Sequence, residues 1–281
     1  MNRRKFLKYS LFGIAGASVA GGVYIWQIEP FHLEFVNVKM PVKNLPDELV
    51  GKTLMQISDI HIGKRFDYNY ILESFRRAKQ FNPDFVVYTG DYLTLHKGKV
   101  LYNELDEVFN ESVRGKFGTI AILGNHDYGE DWADQKVADE VTDLITRKGI
   151  TLLKNDRTEI EGLNFTGLDD YWGLNFKPVE ILEGIEKSKA NIVLCHNPDV
   201  CDLDVWNGYN SWILSGHTHG GQCRPPFLDP PVLPVKNKNY SSGKIDISDG
   251  RTLYINRALG HMIQVRFNVR PEITLFTLEK V

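Results

Sequence analysis

Five of the chain's eight histidines stand in four short blocks, each following an apolar run and each also carrying Asp, Asn or Gly. The blocks are Ser58-Asp59-Ile60-His61, Gly124-Asn125-His126-Asp127, Cys195-His196-Asn197-Pro198 and Gly216-His217-Thr218-His219-Gly220-Gly221. A fifth block, Tyr88-Thr89-Gly90-Asp91, adds a carboxylate at the same kind of place. Imidazole and carboxylate are the ligands that hard or borderline divalent cations take, and strand ends can hold several of them rigidly. The set therefore predicts a two-metal hydrolase. A lone histidine at a strand end is ordinarily a hydrogen-bonded structural residue, whereas five in one ordered pattern argue for metal binding or catalysis. His32, His96 and His261 lie outside the blocks and are expected to be structural.

Something must carry these blocks, and the apolar runs before them read as buried strands. Thr53 to Ile57 precedes Asp59, Phe85 to Tyr88 precedes Asp91, Phe117 to Leu123 precedes Asn125, Asn191 to Leu194 precedes His196, and Ser211 to Leu214 precedes His217. Between them Ile71, Leu72, Phe75 and Ala78 fall on one helix face, and Asn82-Pro83 stops that helix. Further helices are expected near 101–113, 130–148 and 178–187. More strands are expected at 151–154, 158–161, 163–168, 252–256 and 272–279, with an edge strand at Phe31 to Lys39. Such alternation predicts one α/β domain with a mixed sheet, or two sheets packed between helix layers, with ligands at the carboxyl ends of strands. The proline-rich loop 222–240 is either a rim of the pocket or an ordinary surface loop.

Asp-x-His, Gly-Asp, Gly-Asn-His-Asp, His and Gly-His-x-His in this order resemble the signature of the calcineurin-like metallophosphoesterases, over about 59–222. Arg266 to Leu278, the Gly-His-Thr-His-Gly-Gly-Gln string and the N-terminal residues further resemble the exported YkuE/YaeI-like phosphodiesterase branch. The resemblance implies a four-layer α/β/β/α sandwich of two mixed sheets flanked by helices. It implies that Asp59, His61 and His219 bind one metal, that Asn125, His196 and His217 bind the other, and that Asp91 bridges them. A carboxylate has two oxygens to share, an imidazole has one nitrogen for one metal, and the Asn125 carbonyl adds a ligand without charge.

Two divalent ions, two aspartates and a bridging hydroxide leave the site near +1, which favours an anionic phosphate ester and in-line attack of that hydroxide on phosphorus. His126 is implied as the acid that protonates the leaving oxygen or as a cation stabilising the transition state, with Asp127 orienting and charging its ring. Arg65 and the Asp169-Asp170 pair could contact substrate or be solvated loop charges, while Lys97 and Lys99 read as a solvated turn. Ligands without thiolate fit Mn²⁺, Zn²⁺, Fe or Mg²⁺, and the resemblance leans to Mn²⁺.

The N-terminus has a different character. Arg3, Arg4, Lys5 and Lys8 flank Tyr9 to Trp26, 18 residues without a charge. This is the plan of an export signal or a signal anchor, and Arg3-Arg4-Lys5-Phe6-Leu7-Lys8 resembles a twin-arginine signal, implying the corresponding translocase as an export partner. The run is at the short limit for spanning a bilayer, and Ser18-Val19-Ala20 offers a small-x-small cleavage site. Expected boundaries are 1–28 for the signal or anchor, 29–50 for a linker and edge strand, and 51–281 for the catalytic domain, which faces outward into periplasm or cell envelope.

With 42% hydrophobic and 25% charged residues, the composition is that of a globular domain, and a net charge of −3 gives no footprint of a nucleic-acid binder. Cys195, Cys201 and Cys223 are too few for a disulfide framework or thiolate zinc site and read as small buried residues, or as leaving one reactive thiol. The leading expectation is a phosphodiesterase acting on a lipid or envelope phosphoester at the outer side of the membrane. Alternatives are a UDP-2,3-diacylglucosamine pyrophosphatase of lipid A synthesis, whose substrate is presented on the cytoplasmic face, and a scaffold that kept the fold without the chemistry.

Overall fold

Parity along the strands decides the architecture. In β2 (Thr53–Ile57) the side chain of Leu54 joins one apolar cluster and Met55 the other, and in β3 (Phe85–Thr89) Val87 and Val86 divide the same way. Both faces are buried, as expected for parallel strands covered on each side. A computed structural model, which describes residues 2–63, 67–94 and 101–281, resolves this pattern into two six-stranded sheets.

The first sheet runs β1 (Glu34–Val42), β12 (Glu272–Lys280), β2, β3, β4 (Gly118–Ile122) and β5 (Thr151–Leu152). All neighbours are parallel except β12 against β2. The second runs β10 (Gly243–Asp246), β11 (Thr252–Ile255), β9 (Trp212–Ser215), β8 (Ala190–Leu194), β7 (Leu163–Gly167) and β6 (Asp156–Ile160), antiparallel only at its two edges.

Phe85, Ile122, Phe165, Ile192, Trp212 and Phe276 fill the space between the sheets. On the outer face of the first sheet, α2 (Tyr68–Lys79), α3 (Tyr102–Asn110) and α4 (Gln135–Arg147) bury Phe75, Phe109 and Val141 against Met55, Val86 and Tyr88. Leu182 of the short α5 (Pro178–Glu183) and the turn at Val200–Cys201 cover Val193 and Ile213 of the second. The result is the four-layer α/β/β/α sandwich of two mixed sheets.

Helix ends follow local chemistry. Asp67 caps α2 by accepting from the Tyr70 amide at 2.8 Å, and Asp134 caps α4 by accepting from Lys136 at 3.0 Å. That cap starts α4 at Gln135, later than the expected 130, because the preceding residues hold the turn that carries Asn125. α5 stops at Gly184, short of the expected 187. Strand β10 was not expected.

The N-terminal segment is helical from Arg3 through Ile28: α1 (Arg3–Val23) runs into a wider turn at Tyr24–Ile28. It is long and apolar enough to cross a membrane, and Phe6, Leu11, Phe12, Ile14 and Val19 are all exposed. Where it ends, Glu29 is buried and accepts a hydrogen bond from the Val269 amide at 3.0 Å, and Arg266 donates its amide to the Ile25 carbonyl at 2.9 Å. Cys195 and Cys201 are free and buried, and Cys223 is free and half-buried. Burial pushes the Cys195 thiol up to about 12, which makes it inert at neutral pH.

Candidate metal centre

Every block leaves a strand at its carboxyl end and turns sharply. The loop after β2 lies alongside the loop after β3: the Asp59 amide donates to Gly90, the His61 amide to the Asp91 carbonyl at 3.1 Å, and the Ile62 amide to Tyr92. Five side chains of the predicted set stand on left-handed backbone, with φ of +51° at Asp59, +54° at His61, +56° at Asp91, +70° at His217 and +52° at His219. Such residues cost of order 1–3 kcal/mol each and persist only where the surroundings fix them. Here the gain is aim, since each turn points a donor inward.

The aim converges. Asp59, His61 and His219 bring ligand atoms within 4.8 Å of one another, and so do Asp91, His196 and His217. The two groups interlock: His61 Nε2 is 3.7 Å from Asp91 Oδ2, and His196 Nε2 is 3.1 Å from that same oxygen and 4.0 Å from Asp59 Oδ1. His219 Nε2 lies 3.2 Å from Asp59 Oδ1, and His217 Nδ1 lies 3.2 Å from His196 Nε2. Asn125 is 1% exposed, and neither its Oδ1 nor its Nδ2 has a hydrogen-bond partner among the described residues. A buried amide oxygen without a donor is costly unless a cation takes it.

The far ring nitrogens fix which atom faces inward. His61 Nδ1 meets Thr94 Oγ1 at 2.7 Å, and His196 Nδ1 donates to the Thr89 carbonyl at 2.7 Å. His217 is reversed: its Nε2 donates to the Pro234 carbonyl at 2.9 Å, which leaves Nδ1 for the centre. Outer partners of this kind orient metal-ligating imidazoles and settle their tautomer. The Pro234 contact also identifies the loop 222–240 as part of the site's wall.

Charge tells the same story. Burial would raise the Asp59 carboxyl, yet the imidazoles of His219 and His196 hold it down at about 2. Asp91 is likewise held well below its ordinary range by His196, His126 and His61, against its burial. Burial lowers His196, but Asp91 and Asp59 overcome that and raise it well above the usual imidazole value. His61 is lowered well below it by burial and His219, and His217 falls to about 3 through burial and His196. Two buried carboxylates thus favour positive charge beside them, and His196 is the imidazole whose cationic form they favour. The donors fit divalent cations better, since imidazole, carboxylate and amide oxygen are all present and no thiolate is.

Gly124 and Gly216 allow this density. A Cβ on Gly124 would stand 2.6 Å from the Asp91 amide nitrogen and 2.8 Å from His196 Cε1, and one on Gly216 would strike Ser58 and the Asp59 carboxylate.

His126 is half-buried at the edge of the centre. Its amide donates to Asp91 Oδ1 at 2.9 Å, and its ring stands edge-on to His61 at 5.3 Å. Asp127 does not do what was expected of it. Its Oδ2 accepts from the Asp91 and Gly124 amides, both at 2.9 Å, and its Oδ1 from Tyr92 at 2.8 Å and Leu93 at 3.2 Å. With three of its four backbone donors on the Asp91 loop, the carboxylate positions that loop instead of the His126 ring. Burial and the Asp91 charge oppose its ionisation, and the Gly124 and Tyr92 amides favour the carboxylate.

Of the two residues expected to touch substrate, Arg65 lies outside the described residues, as do His96, Lys97 and Lys99. Asp170 is 1% exposed, accepts from the Trp172 amide at 2.9 Å, and leaves Oδ2 unpaired. Asp169 accepts from the Tyr128 hydroxyl. Two tryptophans were not anticipated. Trp132 and Trp172 stack at 4.7 Å, with Trp132 edge-on to His126 at 6.2 Å and Trp172 edge-on to His217 at 4.5 Å. They wall the side of the centre that carries His126.

Residues 52–221 match the family model of the calcineurin-like phosphoesterases, a span that takes in every one of the predicted ligands. The chain is 31% identical to an uncharacterized metallophosphoesterase of Bacillus subtilis, YkuE, over 99% of this chain and 98% of that one. It is 29% identical to the phosphodiesterase YaeI of Escherichia coli, with 99% of both chains covered. It is also 23% identical, over 95% of each chain, to the UDP-2,3-diacylglucosamine pyrophosphatase LpxG of Chlamydia muridarum.

Proposed function

The chain belongs to the calcineurin-like phosphoesterases, and on that premise we propose that it is a dinuclear-metal phosphodiesterase, held at the membrane by its N-terminal helix and acting on its outer side. The observation that carries the reading is the interlocked pair of groups Asp59/His61/His219 and Asp91/His196/His217, with Asn125, whose buried oxygen has no partner among the described residues, in the turn whose Gly124 and His126 border Asp91.

Asp59, His61 and His219 would hold one cation and Asn125, His196 and His217 the other, with Asp91 between them. A bound pair of divalent ions supplies positive charge for a phosphate and acidifies water near neutral pH. The chain's own residues do the rest. Thr94, Thr89 and Pro234 keep the imidazole nitrogens aimed. Asp127 holds the Asp91 loop through three amides and its own turn through the Gly124 amide. His126, half-buried and beside His61, would give a proton to the leaving oxygen. The exposed apolar helix and the basic residues before it support export or anchoring through a twin-arginine signal.

Metal content and hydrolysis of bis(p-nitrophenyl) phosphate, measured on one preparation reconstituted with Mn²⁺, test the reading. Two metals per chain and turnover that chelator abolishes are expected. A protein with neither would be a scaffold on this fold. The likeness to LpxG favours one second reading, cleavage of the pyrophosphate bond of UDP-2,3-diacylglucosamine, which release of UMP from that compound would reveal.

A further inference from the structure

Phe227 is fully exposed and stands on left-handed backbone at φ +66°, a conformation that bulky side chains avoid. Water gives such a residue nothing in return for either cost, so its benefit lies in a contact outside the chain. Leu228 and Val232 beside it are 63% and 71% exposed, and across the neighbouring loop Met262, Ile263 and Phe267 are exposed as well. An apolar surface of this kind marks an interaction site.

The two loops are one unit. Arg224 donates its amide to the Phe267 carbonyl at 2.8 Å, and the Gln222 side chain donates to the Ile263 and Val265 carbonyls, both at 2.9 Å. Prolines at 225, 226, 230 and 231 stiffen the first loop. The foot of the N-terminal helix joins the same unit. Gln264 Nε2 donates to the Trp26 carbonyl at 2.9 Å, the Arg266 amide to Ile25, and Tyr24 lines a depression with Pro226 and Phe267. Trp26 and Ile28 are half-exposed there.

We infer that the apolar side chains of loops 225–232 and 262–267 form a second membrane contact, dipping into the lipid surface beside the foot of the N-terminal helix while the exposed Asp229 carboxylate, 3.7 Å from the Arg224 guanidinium, stays among the headgroups. The helix is the one element among the described residues long and apolar enough to cross a bilayer, and it enters the domain through these loops. The lipid that surrounds the helix is therefore the apolar phase nearest to Phe227. The patch is also fastened to the metal centre: Pro230 and the Val232 carbonyl pack on Gly221 of the His217–Gly221 turn, and the Gly260 amide donates to the Asp59 carbonyl at 2.8 Å. A domain seated this way holds its reaction centre at a fixed height over the bilayer, suited to a phosphoester whose apolar part stays in the membrane. The inference rests on the anchoring proposed above.

The test uses the full chain reconstituted into vesicles of phosphatidylethanolamine and phosphatidylglycerol. A Phe227→Cys variant in a Cys223→Ser background is labelled with an environment-sensitive nitrobenzoxadiazole dye, and Val50→Cys, exposed before β2 at the opposite end of the strands, is the control. At 227 the emission should shift to the blue and be lost when spin-labelled acyl chains are added, while at 50 neither happens. Label at 227 that stays in water although the chain floats with the vesicles overturns the patch and leaves the anchoring standing. A chain that does not float overturns both. A blue shift insensitive to lipid quencher but dependent on protein concentration assigns the patch to a second copy of the chain and overturns the inference.

Discussion

His61 and His219 face each other through their Nε2 atoms at 2.9 Å. His61 holds its other nitrogen against Thr94, and His219 Nδ1 has no hydrogen-bond partner among the described residues. Two imidazole nitrogens this close need either a shared proton or a cation between them. With Asp59 Oδ1 3.2 Å from the same His219 atom, a cation satisfies all three donors at once.

Removing metal should therefore cost stability as well as activity. Chelation is expected to lower the melting temperature by on the order of 5–10 °C, since a ligand at a hundredfold excess over its Kd contributes about 3 kcal/mol. Scanning calorimetry with and without EDTA, followed by Mn²⁺, checks this; an unchanged transition would argue against a metal held by buried ligands.

Asp91 and His126 should separate. Asp91→Ala takes the shared carboxylate from both groups and is expected to abolish turnover and metal content together. His126→Ala should keep both metals while slowing turnover roughly 10²- to 10⁴-fold, the range of general acid catalysis. Elemental analysis beside initial rates reads the difference, and equal metal loss in the two variants would sink the division.

Asp127→Asn tests the anchoring role. An amide in its place keeps one acceptor oxygen and turns NH₂ toward two of the four backbone donors. Loss of roughly 3–5 kcal/mol of stability, together with weaker metal binding, is expected. Were Asp127 instead acting through the His126 ring, the variant would unfold normally and only its rate would fall.

Gly124→Ala inserts a methyl between Asp91 and His196, 2.8 Å from the latter's Cε1. Displacing either by about 1 Å should reduce turnover on the order of 10²-fold, although no side chain that does chemistry is altered.

Asp170 provides a pH test in the chelated protein. Burial, and the Asp91 charge, raise its carboxyl to about 7, against about 3.9 in the unfolded chain. A raised folded pKa means that stability is fully present below the unfolded value and is lost as pH rises toward 7, here on the order of a few kcal/mol. Asp170→Asn should flatten that decline between about pH 4 and 7 when melting temperature is followed. A slope identical to that of the unsubstituted protein would show that Asp170 ionises freely.

What the sequence disclosed depends on where the signal resides. Each proposed ligand sits just after a buried apolar strand, so Asp59, Asp91, Asn125, His196 and the His217/His219 pair were visible as side chains at strand ends. Their outer partners were not, because the Thr89 and Pro234 carbonyls belong to backbone and carry no residue signature. Asp127 was misread through adjacency: a tight turn over Asn125–Tyr128 sends its carboxylate back to the 91–93 amides and away from the neighbouring ring. Trp132 and Trp172 meet only through the fold. Strand β10 escaped because it is an edge strand of four residues with alternate exposure and one large apolar side chain, Ile245. The α4 start was set by Asp134, a cap signal outweighed by the wider polar stretch before it.

Strand β12 has a consequence of its own. It lies between β1 and β2, so residues 272–280 are wedged between two segments synthesised far earlier. Until they leave the ribosome, the edges of both neighbours are bare, and Phe276 and Leu278 are missing from the filling between the sheets. Assembly of this sheet must wait until residues 272–280 have been made, and a chain stopped before them would carry an open, sticky edge. The order in which its strands are made thus doubles as a checkpoint on a finished sheet.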